Sequence, residues 1–400
     1  MTDSENPIDI AAAEDRLMRY LAIEGITGQE AAIAAAIVAN LKGAGISQSA
    51  IRFDDANSRI PLPTQTGNLI ADLPGTTDAP RIMFSTHLDT VPLCAGAKPR
   101  REGDRIVSER ATALGGDNRT GCAVLVTLAQ TLLQHKIPHP PITLLFTVRE
   151  ESGLHGAREL GVADLGAPSM CFNVDGGVPS KLLIGAVGQE NWHAEITGRA
   201  AHAGVAPETG ISATLVASIG IANAHRRGWF GKVGKANGRG TSNVGIFGGK
   251  DGKAAGDATN VVTNYVSVRG EARSPYAEFA EEIAKAYELA FADAQDAVRA
   301  ADGSTAIVDF RHQPAYPPFR LSENSPAATR AADAVRRLGL EPEFVFSNGG
   351  LDANWIDKHG IPTVTFGAGQ REIHTINEYV VLPEYALGCK LALMLATLSN

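Results

Sequence analysis

The sequence has little of what marks nucleic-acid-binding, membrane-spanning or disulfide-rich proteins. Lys and Arg number 36 against 44 Asp and Glu, and the net charge of −8 argues against a surface for nucleic acid or anionic membranes. No apolar run approaches the length that spans a bilayer, and the acidic N-terminus "MTDSENPIDIAAAED" lacks the pattern of a secretion signal. The four cysteines form no CxxC pair, as expected of reduced buried thiols. We therefore predict a cytoplasmic protein that acts on small molecules or peptides.

Short continuous apolar runs predict strands that are covered on both faces of a sheet. They are "RIMFSTHLD", "ITLLFTVREE", "SMCFNVDGG" and "PTVTFGAG". Between the first two lies "TGCAVLVTLAQTLLQ", which is typical of a core helix. Two helices precede these elements, and the second begins with Thr27 and Glu30 at the spacing of a capping box. These elements predict an α/β domain with a mostly parallel sheet.

A second pattern begins near Gly188 and predicts a smaller inserted domain. Its elements follow the order β-α-β-β-α-β, which is that of a split βαβ unit of the ferredoxin-like kind. The Pro-rich "HQPAYPPF" indicates a return linker, and "GKVGKANGRG" a flexible basic loop. We therefore assign residues 1–186 and 314–400 to a discontinuous catalytic α/β domain, and residues 187–313 to an inserted α+β lid domain.

Histidines and carboxylates follow several of the predicted strands at the point where each strand ends. Ligands bind beyond the carboxyl ends of the strands in an open α/β sheet, so side chains at these turns meet at one edge. Any single residue of this kind is more often a cap or a surface group, but five separate turns together predict a common site. The residues are His87, Asp89, Asp117, Glu150, Glu151, Asp175 and His374.

This donor set predicts a metal centre. Two histidines and several carboxylates without thiolates suit Zn²⁺ and its first-row neighbours. The carboxylates are more than one tetrahedral ion needs, whereas two ions roughly 3.5–4 Å apart with a bridging carboxylate use them all. We predict two Zn²⁺ ions per subunit, for which Co²⁺ or Mn²⁺ can substitute. Of the adjacent Glu150 and Glu151, one is then a ligand and the other a general base.

The motifs resemble those of the M20 metallopeptidases, in particular the peptidase T-like (tripeptidase) branch. "HLDTVP", "GGDNRTG", "EESG", "VDGG" and "HTINE" occur in the family's order, and the resemblance covers nearly the whole chain. It implies a metallohydrolase that cleaves peptide or amide bonds. By motif, His87 and Asp175 hold one ion, Glu151 and His374 hold the other, and Asp117 bridges them.

The resemblance also implies roles for residues that are not ligands. Asp89 orients the imidazole that precedes it by two residues, and Glu150 is the general base. In the lid, His202 of "GRAAHAG" and Asn260 of "DATNVV" correspond to residues that stabilise the oxyanion, the histidine commonly from the partner subunit. Arg273 of "GEARS" corresponds to an arginine that binds a substrate carboxylate, although a salt-bridged arginine is an equal alternative.

One position departs from the tripeptidase pattern. The tripeptidases of this family have a motif similar to "RGGTDG" at the place where this chain has "NGGLDA". Asn348 therefore replaces an arginine that is expected to bind the terminal carboxylate of the peptide. A neutral amide cannot make the bidentate contact that arginine makes. Asp352 in the same motif is either a support for the metal site or the N-cap of the following helix.

Three hypotheses about function follow. The first is a di-zinc aminopeptidase of short peptides that forms a homodimer through its lid, as the resemblance implies. The second is an N-acyl-amino-acid amidohydrolase (deacylase) or carboxypeptidase of the same family, which Asn348 favours. The third is a catalytically inactive binding protein that kept the fold. The complete set of ligands and the presence of Glu150 argue against the third.

Overall fold

The computed structural model describes residues 7–256 and 258–398. The helices, numbered in chain order, are α1 (Ile10–Leu21), α2 (Ala31–Gly43), α3 (Ala56–Arg59), α4 (Gly116–Gln134), α5 (His155–Arg158), α6 (Ala213–Arg226), α7 (Ala277–Ala297), α8 (Pro326–Arg337), α9 (Ala353–Lys358) and α10 (Leu382–Thr397). The strands are β1 (Ile51–Phe53), β2 (Leu69–Leu73), β3 (Ile82–His87), β4 (Pro99–Glu102), β5 (Arg105–Ser108), β6 (Ile142–Thr147), β7 (Cys171–Val174), β8 (Lys181–Ala186), β9 (Gly188–Thr197), β10 (Gly231–Lys235), β11 (Gly238–Gly248), β12 (Tyr265–Ser274), β13 (Ile307–Tyr316), β14 (Phe319–Arg320), β15 (Glu343–Ser347), β16 (Thr363–Phe366), β17 (Gln370–Arg371) and β18 (Tyr379–Val381).

The chain folds into two compact units. The first comprises the chain up to Ala186 and from Phe319 onward, and the second is Val187–Pro318. The second unit extends past residue 313 because β13 continues to Tyr316. Pro314 is accommodated there because β13 is an edge strand whose register shifts at this proline.

The first unit is built around a nine-stranded mixed sheet, which confirms the predicted α/β class. The strand order is β1-β2-β6-β3-β7-β16-β8-β14, with β15 also paired to β8. The four central strands β6, β3, β7 and β16 run parallel, and antiparallel strands flank them. Every residue of β3 and of β6 is buried, as expected of continuous apolar strands in the centre of a covered sheet. The carboxyl ends of these parallel strands therefore meet at one edge.

The second unit is a five-stranded antiparallel sheet with two helices. Its strand order is β10-β11-β12-β9-β13, and α6 and α7 pack together and against the strands. The core centres on Trp192, which stacks on Tyr287 with the ring centroids 4.5 Å apart. This arrangement contains the predicted β-α-β-β-α-β order with one additional strand, β10.

The basic segment predicted to be a flexible loop is in fact the hairpin of β10 and β11, and that prediction was wrong. Lys235 pairs with Gly238, so the loop contains only two residues. The Val233 side chain is 1% exposed and anchors β10 in the core. The two loop residues are Ala236 and Asn237, and Gly238, the second residue of the Asn-Gly pair that often marks a hairpin, is already the first residue of β11.

The structure buries all four cysteines as free thiols, in agreement with the prediction. Over residues 7–256 and 258–398, none of the helices is both long and apolar enough to cross a membrane.

Candidate metal centre

The first unit brings together all seven histidines and carboxylates that the sequence predicted at the sheet edge. His87 is the last residue of β3, Glu150 and Glu151 follow β6, and Asp175 follows β7. Asp117 lies at the start of α4, and His374 lies between β17 and β18. Because β3, β6 and β7 are parallel neighbours, their carboxyl ends deliver these side chains to the same place.

The donor atoms form two groups that share Asp117. His87 Nε2 lies 3.2 Å from Asp117 Oδ1 and 3.9 Å from Asp175 Oδ1. His374 Nε2 lies 3.2 Å from Asp117 Oδ2 and 2.9 Å from Glu151 Oε2. The two carboxylate oxygens of Asp117 therefore face different histidines, which is the arrangement of a bridging ligand.

The spacing of these atoms fits metal coordination. Two ligands that each lie 2.0–2.1 Å from one tetrahedral ion are about 3.3 Å apart. His87, Asp117 and Glu151 each offer a donor atom, and these atoms lie within 4.8 Å of one another. Nitrogen and oxygen donors without thiolates are the set that Zn²⁺, Co²⁺ and Mn²⁺ accept. The residues present therefore fit a site for divalent cations.

The electrostatics of the cluster also favour cations. Burial raises the pKa of Asp175 to about 8, and the nearby Asp117 carboxylate contributes to the shift. Burial likewise raises the pKa of Glu151 to about 7, although the hydrogen bond from His374 opposes it. Hydrogen bonds to Asp117 and Glu151 raise the pKa of His374 to about 10. The cluster thus holds more buried carboxylates than nearby cationic groups can neutralise. Bound divalent ions would supply the missing positive charge.

The Glu150 carboxyl, next to Glu151 in the chain, also has a raised pKa. Burial raises the pKa of its carboxyl well above the ordinary value; His87 opposes this shift, whereas Asp175 and Glu151 add to it. A carboxyl group that retains or recovers a proton near neutral pH is suited to general acid and base chemistry.

Asp89 makes more contacts than the predicted one with the imidazole. Its backbone oxygen lies 3.0 Å from His87 Nδ1, and its Oδ1 lies 3.4 Å from the same nitrogen. Its carboxylate also accepts the backbone N–H groups of Glu150 at 3.0 Å and Glu151 at 3.1 Å. Asp89 therefore fixes both the His87 ring and the turn that carries the two glutamates.

Sequence reasoning assigned Glu30 to a capping box, and this was wrong. Its side chain is 0% exposed and makes no capping bond to α2. Instead, Oε1 accepts the N–H groups of Gly28 at 2.7 Å and Arg149 at 3.1 Å. Arg149 has a φ of +52° and precedes Glu150, so Glu30 supports the backbone at the start of the glutamate turn.

The Arg149 guanidinium completes this support. It donates to Thr64 Oγ1 at 2.7 Å, to Ser152 Oγ at 3.2 Å and to the carbonyl oxygen of Pro63. These contacts tie the glutamate turn to the segment before β2. No local sequence pattern predicts these contacts, because Arg149 and its partners Pro63 and Thr64 lie far apart in the chain.

Gln370 is a further residue of the cluster that sequence reasoning missed. Its Nε2 lies 3.3 Å from Asp117 Oδ1 and 3.5 Å from Asp175 Oδ1. Its Oε1 accepts the hydroxyl of Thr120 at 2.9 Å, which fixes the orientation of the amide. It follows "TVTFGAG" directly and is the first residue of β17, and this position close after β16 was the available signal.

Asp352 occupies the N-cap position of α9, but its side chain does not cap the helix, so that alternative does not hold. Oδ2 accepts the hydroxyl of Thr147 at the end of β6, and Oδ1 has no hydrogen-bond partner among the described residues. Burial raises the pKa of Asp352 to about 6, with His87 opposing and Asp89 adding to the shift.

The four remaining predicted residues are divided between the two units. His202, Asn260 and Arg273 belong to the second unit, where the N–H of Ala203 donates to the Asn260 carbonyl oxygen at 2.9 Å. Arg273 Nε and Nη2 donate to the two carboxylate oxygens of Glu271 at 2.9 and 3.0 Å. Asn348 is exposed after β15 in the first unit.

Comparisons with known proteins agree with this description. The model of peptidase family M20/M25/M40 matches residues 83–397. The protein YqjE of Bacillus subtilis is 35% identical over 320 residues, covering 80% of this chain and 81% of that protein. The structure of aminopeptidase PepT from Bacillus cereus is 31% identical with a TM-score of 0.84, over 98% of this chain and 99% of that chain. A tripeptidase structure from Staphylococcus aureus is 28% identical with a TM-score of 0.86, over the same shares.

An α/β sheet with histidines and carboxylates gathered at the carboxyl ends of its strands presents the donor set of a metal site. The chain belongs to peptidase family M20/M25/M40, because the family model matches most of its length. It is accordingly a hydrolase of peptide bonds, and the resemblance to the peptidase T-like branch is confirmed.

Proposed function

We propose that the protein is a di-zinc aminopeptidase that cleaves short peptides. The observation that carries the proposal is that Asp117 turns one oxygen toward His87 and the other toward His374. The similarity to an aminopeptidase PepT and to a tripeptidase supports this choice of substrate.

The distances between donor atoms support the ligand roles that the motifs imply. His87 and Asp175 would hold one Zn²⁺, Glu151 and His374 the other, and Asp117 would bridge the two. When bound, the two ions supply activation of water and polarisation of the substrate carbonyl. The His374 side chain is 47% exposed, so the centre is accessible at this ligand.

Glu150 takes the proton of the attacking water and then donates it to the leaving amine. A pKa above the ordinary value suits the second step, since a carboxyl group with an ordinary pKa is a poor proton donor at neutral pH. Asp89 holds the Glu150 N–H at 3.0 Å, which keeps the base next to the ligand Glu151.

Three residues of the second unit have roles that we propose from their motifs. His202 and Asn260 stabilise the negative charge that develops on the carbonyl oxygen. Arg273 binds a substrate carboxylate, which must compete with Glu271 for the guanidinium.

We further propose a homodimer through the second unit in which His202 acts on the partner's substrate, and a location in the cytoplasm. Sedimentation that shows a fully active monomer would exclude His202 acting in this way.

The second candidate is a deacylase or carboxypeptidase, which Asn348 favours. A neutral amide at the position of the tripeptidase arginine weakens recognition of a terminal carboxylate in the tripeptidase manner. The bond hydrolysed would then be that of an N-acyl amino acid or a C-terminal residue.

The test compares unblocked di- and tripeptides with their N-acetylated counterparts. Zinc-loaded protein is incubated with each set, release of free amino acids is measured, and Glu150→Gln is the inactive control. We expect cleavage of the unblocked peptides only. Cleavage of the acetylated compounds would support the second candidate. Metal binding without cleavage of either set would indicate an inactive binding protein.

A further inference from the structure

Glu378 binds the turn that carries the bridging aspartate. Its side chain is 3% exposed, and its carboxylate accepts three backbone N–H groups. Oε2 accepts those of Leu114 at 2.8 Å and Gly115 at 2.9 Å, and Oε1 accepts that of Asp117 at 3.0 Å. Both oxygens are therefore used to hold one short segment of backbone.

This segment has no cap of its own. The position before α4 is Gly115, with a φ of +82°, and it provides no side-chain capping bond. The first N–H groups of a helix need acceptors, and a negative charge is favourable there. Glu378 supplies both from a position 261 residues further along the chain than Asp117.

The fit between the two segments is close. A Cβ at Gly116 would lie 2.7 Å from Val380 Cγ2 and 3.2 Å from Glu378 Oε1. The segment after His374 thus packs directly on the backbone of the aspartate turn, and only glycine leaves room for it. The second glycine of "GGDNRTG" and the glutamate of "HTINE" are explained by the same contact.

Glu378 is also tied to the ligand His374. The N–H of Glu378 donates to the Thr375 carbonyl oxygen at 3.2 Å, so a tight turn that begins directly after His374 places Glu378. Directly afterwards β18 pairs with β17 and β5, which fixes the backbone at that end. One rigid segment therefore presents an imidazole to one Asp117 oxygen and holds the Asp117 N–H.

We propose that Glu378 is a positioning residue that sets the Asp117 carboxylate between His87 and His374, and so determines the affinity of the centre for its two ions. The inference rests on the proposed two-ion site. Asp89 makes the corresponding contacts at the other side of the cluster. It follows His87 by two residues, and its carboxylate accepts the backbone N–H groups of Glu150 and Glu151. Each ligand histidine is thus followed by a carboxylate that binds the backbone of a turn bearing another ligand.

Two variants distinguish whether Glu378 acts by holding the backbone of the Asp117 turn or only by its negative charge. Glu378→Gln keeps the shape but has a single acceptor oxygen, so its amide nitrogen would face at least one buried N–H donor. Glu378→Asp keeps the charge but is one methylene too short to reach the N–H groups on both sides of Gly116. Each full-length variant is titrated with Co²⁺, and the dissociation constants and the visible absorption spectrum at saturation are recorded.

We expect both variants to bind Co²⁺ about 10- to 100-fold more weakly than the wild type, with an altered spectrum at saturation. Wild-type affinity and spectrum in both variants would overturn the proposal, even if their unfolding midpoints fell. Wild-type behaviour of Glu378→Asp alone would also overturn it, because charge would then explain the effect. Far-UV circular dichroism of the metal-free proteins verifies that each variant is folded.

Asp117→Asn and the wild type distinguish this inference from the proposed function. Failure of the wild type to bind two ions would refute the two-ion site itself. Two-ion binding that depends on Asp117 but not on Glu378 would refute only the positioning role.

Discussion

Glu30 carries a buried charge that the fold does not fully satisfy, and its replacement offers a sharp test of the structure. Its Oε1 accepts two backbone N–H groups, whereas Oε2 has no hydrogen-bond partner among the described residues. Burial, followed by repulsion from Asp89, raises the pKa of Glu30 from 4.5 to about 6. The folded protein therefore holds the proton of Glu30 more tightly than the unfolded chain does.

The sign of the effect on stability follows from this shift. The contribution of Glu30 to stability is fully present below pH 4.5 and is lost as the pH rises through about 6. Between pH 5 and pH 8 the loss amounts to about 1 kcal/mol. Glu30→Gln removes the titration, while its amide oxygen can still accept the same two N–H groups. The free energy of unfolding of the variant, relative to the wild type, should rise by about 1 kcal/mol over this pH range.

Urea unfolding of the metal-free protein, followed by far-UV circular dichroism at a series of pH values from 5 to 8, measures this difference. Effects of the substitution on packing do not depend on pH, so they cancel in the comparison. Glu341→Gln makes the same chemical change at an exposed position and should show no such trend. A difference for Glu30→Gln that stays constant with pH would refute the reasoning.

The remaining predictions concern the metal centre. Glu150→Gln should retain both ions by metal analysis and lower turnover by a factor on the order of 10² or more; unchanged turnover would exclude Glu150 as the base. Asp89→Asn should leave one N–H of the glutamate turn without an acceptor and cost about 1–3 kcal/mol in the free energy of unfolding, measured in urea. Removing metal with a chelator should lower the unfolding temperature, because the ions bind only the folded centre; coincident melting curves with and without zinc would contradict a site here.

The central strands, and the site residues that directly follow them, could be predicted from the sequence because short local patterns determine them. The central strands β3, β6 and β7 are continuous apolar runs, and parallel strands place their carboxyl ends together. Side chains that directly follow such strands, as His87 and Asp175 do, can therefore be brought to one site from the order of the residues alone.

The supports of the site could not be found in this way, because their contacts join distant segments. Glu30 and Arg149 are 119 residues apart, and Glu378 and Asp117 are 261 residues apart. The spacing of Thr27 and Glu30 even predicted the wrong hydrogen-bond donor for the Glu30 carboxylate. In a capping box Glu30 would accept the N–H of Thr27, but that N–H donates to the Thr90 carbonyl oxygen, and the buried Glu30 carboxylate accepts those of Gly28 and Arg149.

Five of the acidic residues around the centre form two kinds by their main contacts. Asp117 and Glu151 face imidazole nitrogens, and a cation can take the place of these contacts. Asp89, Glu30 and Glu378 each accept two or more backbone N–H groups, which no cation can replace. An N–H donor neutralises a carboxylate only in part, so the second kind adds negative charge around the first while fixing its geometry. The fold thereby builds a preorganised, carboxylate-rich centre, and divalent cations would complete its charge without having to organise its backbone.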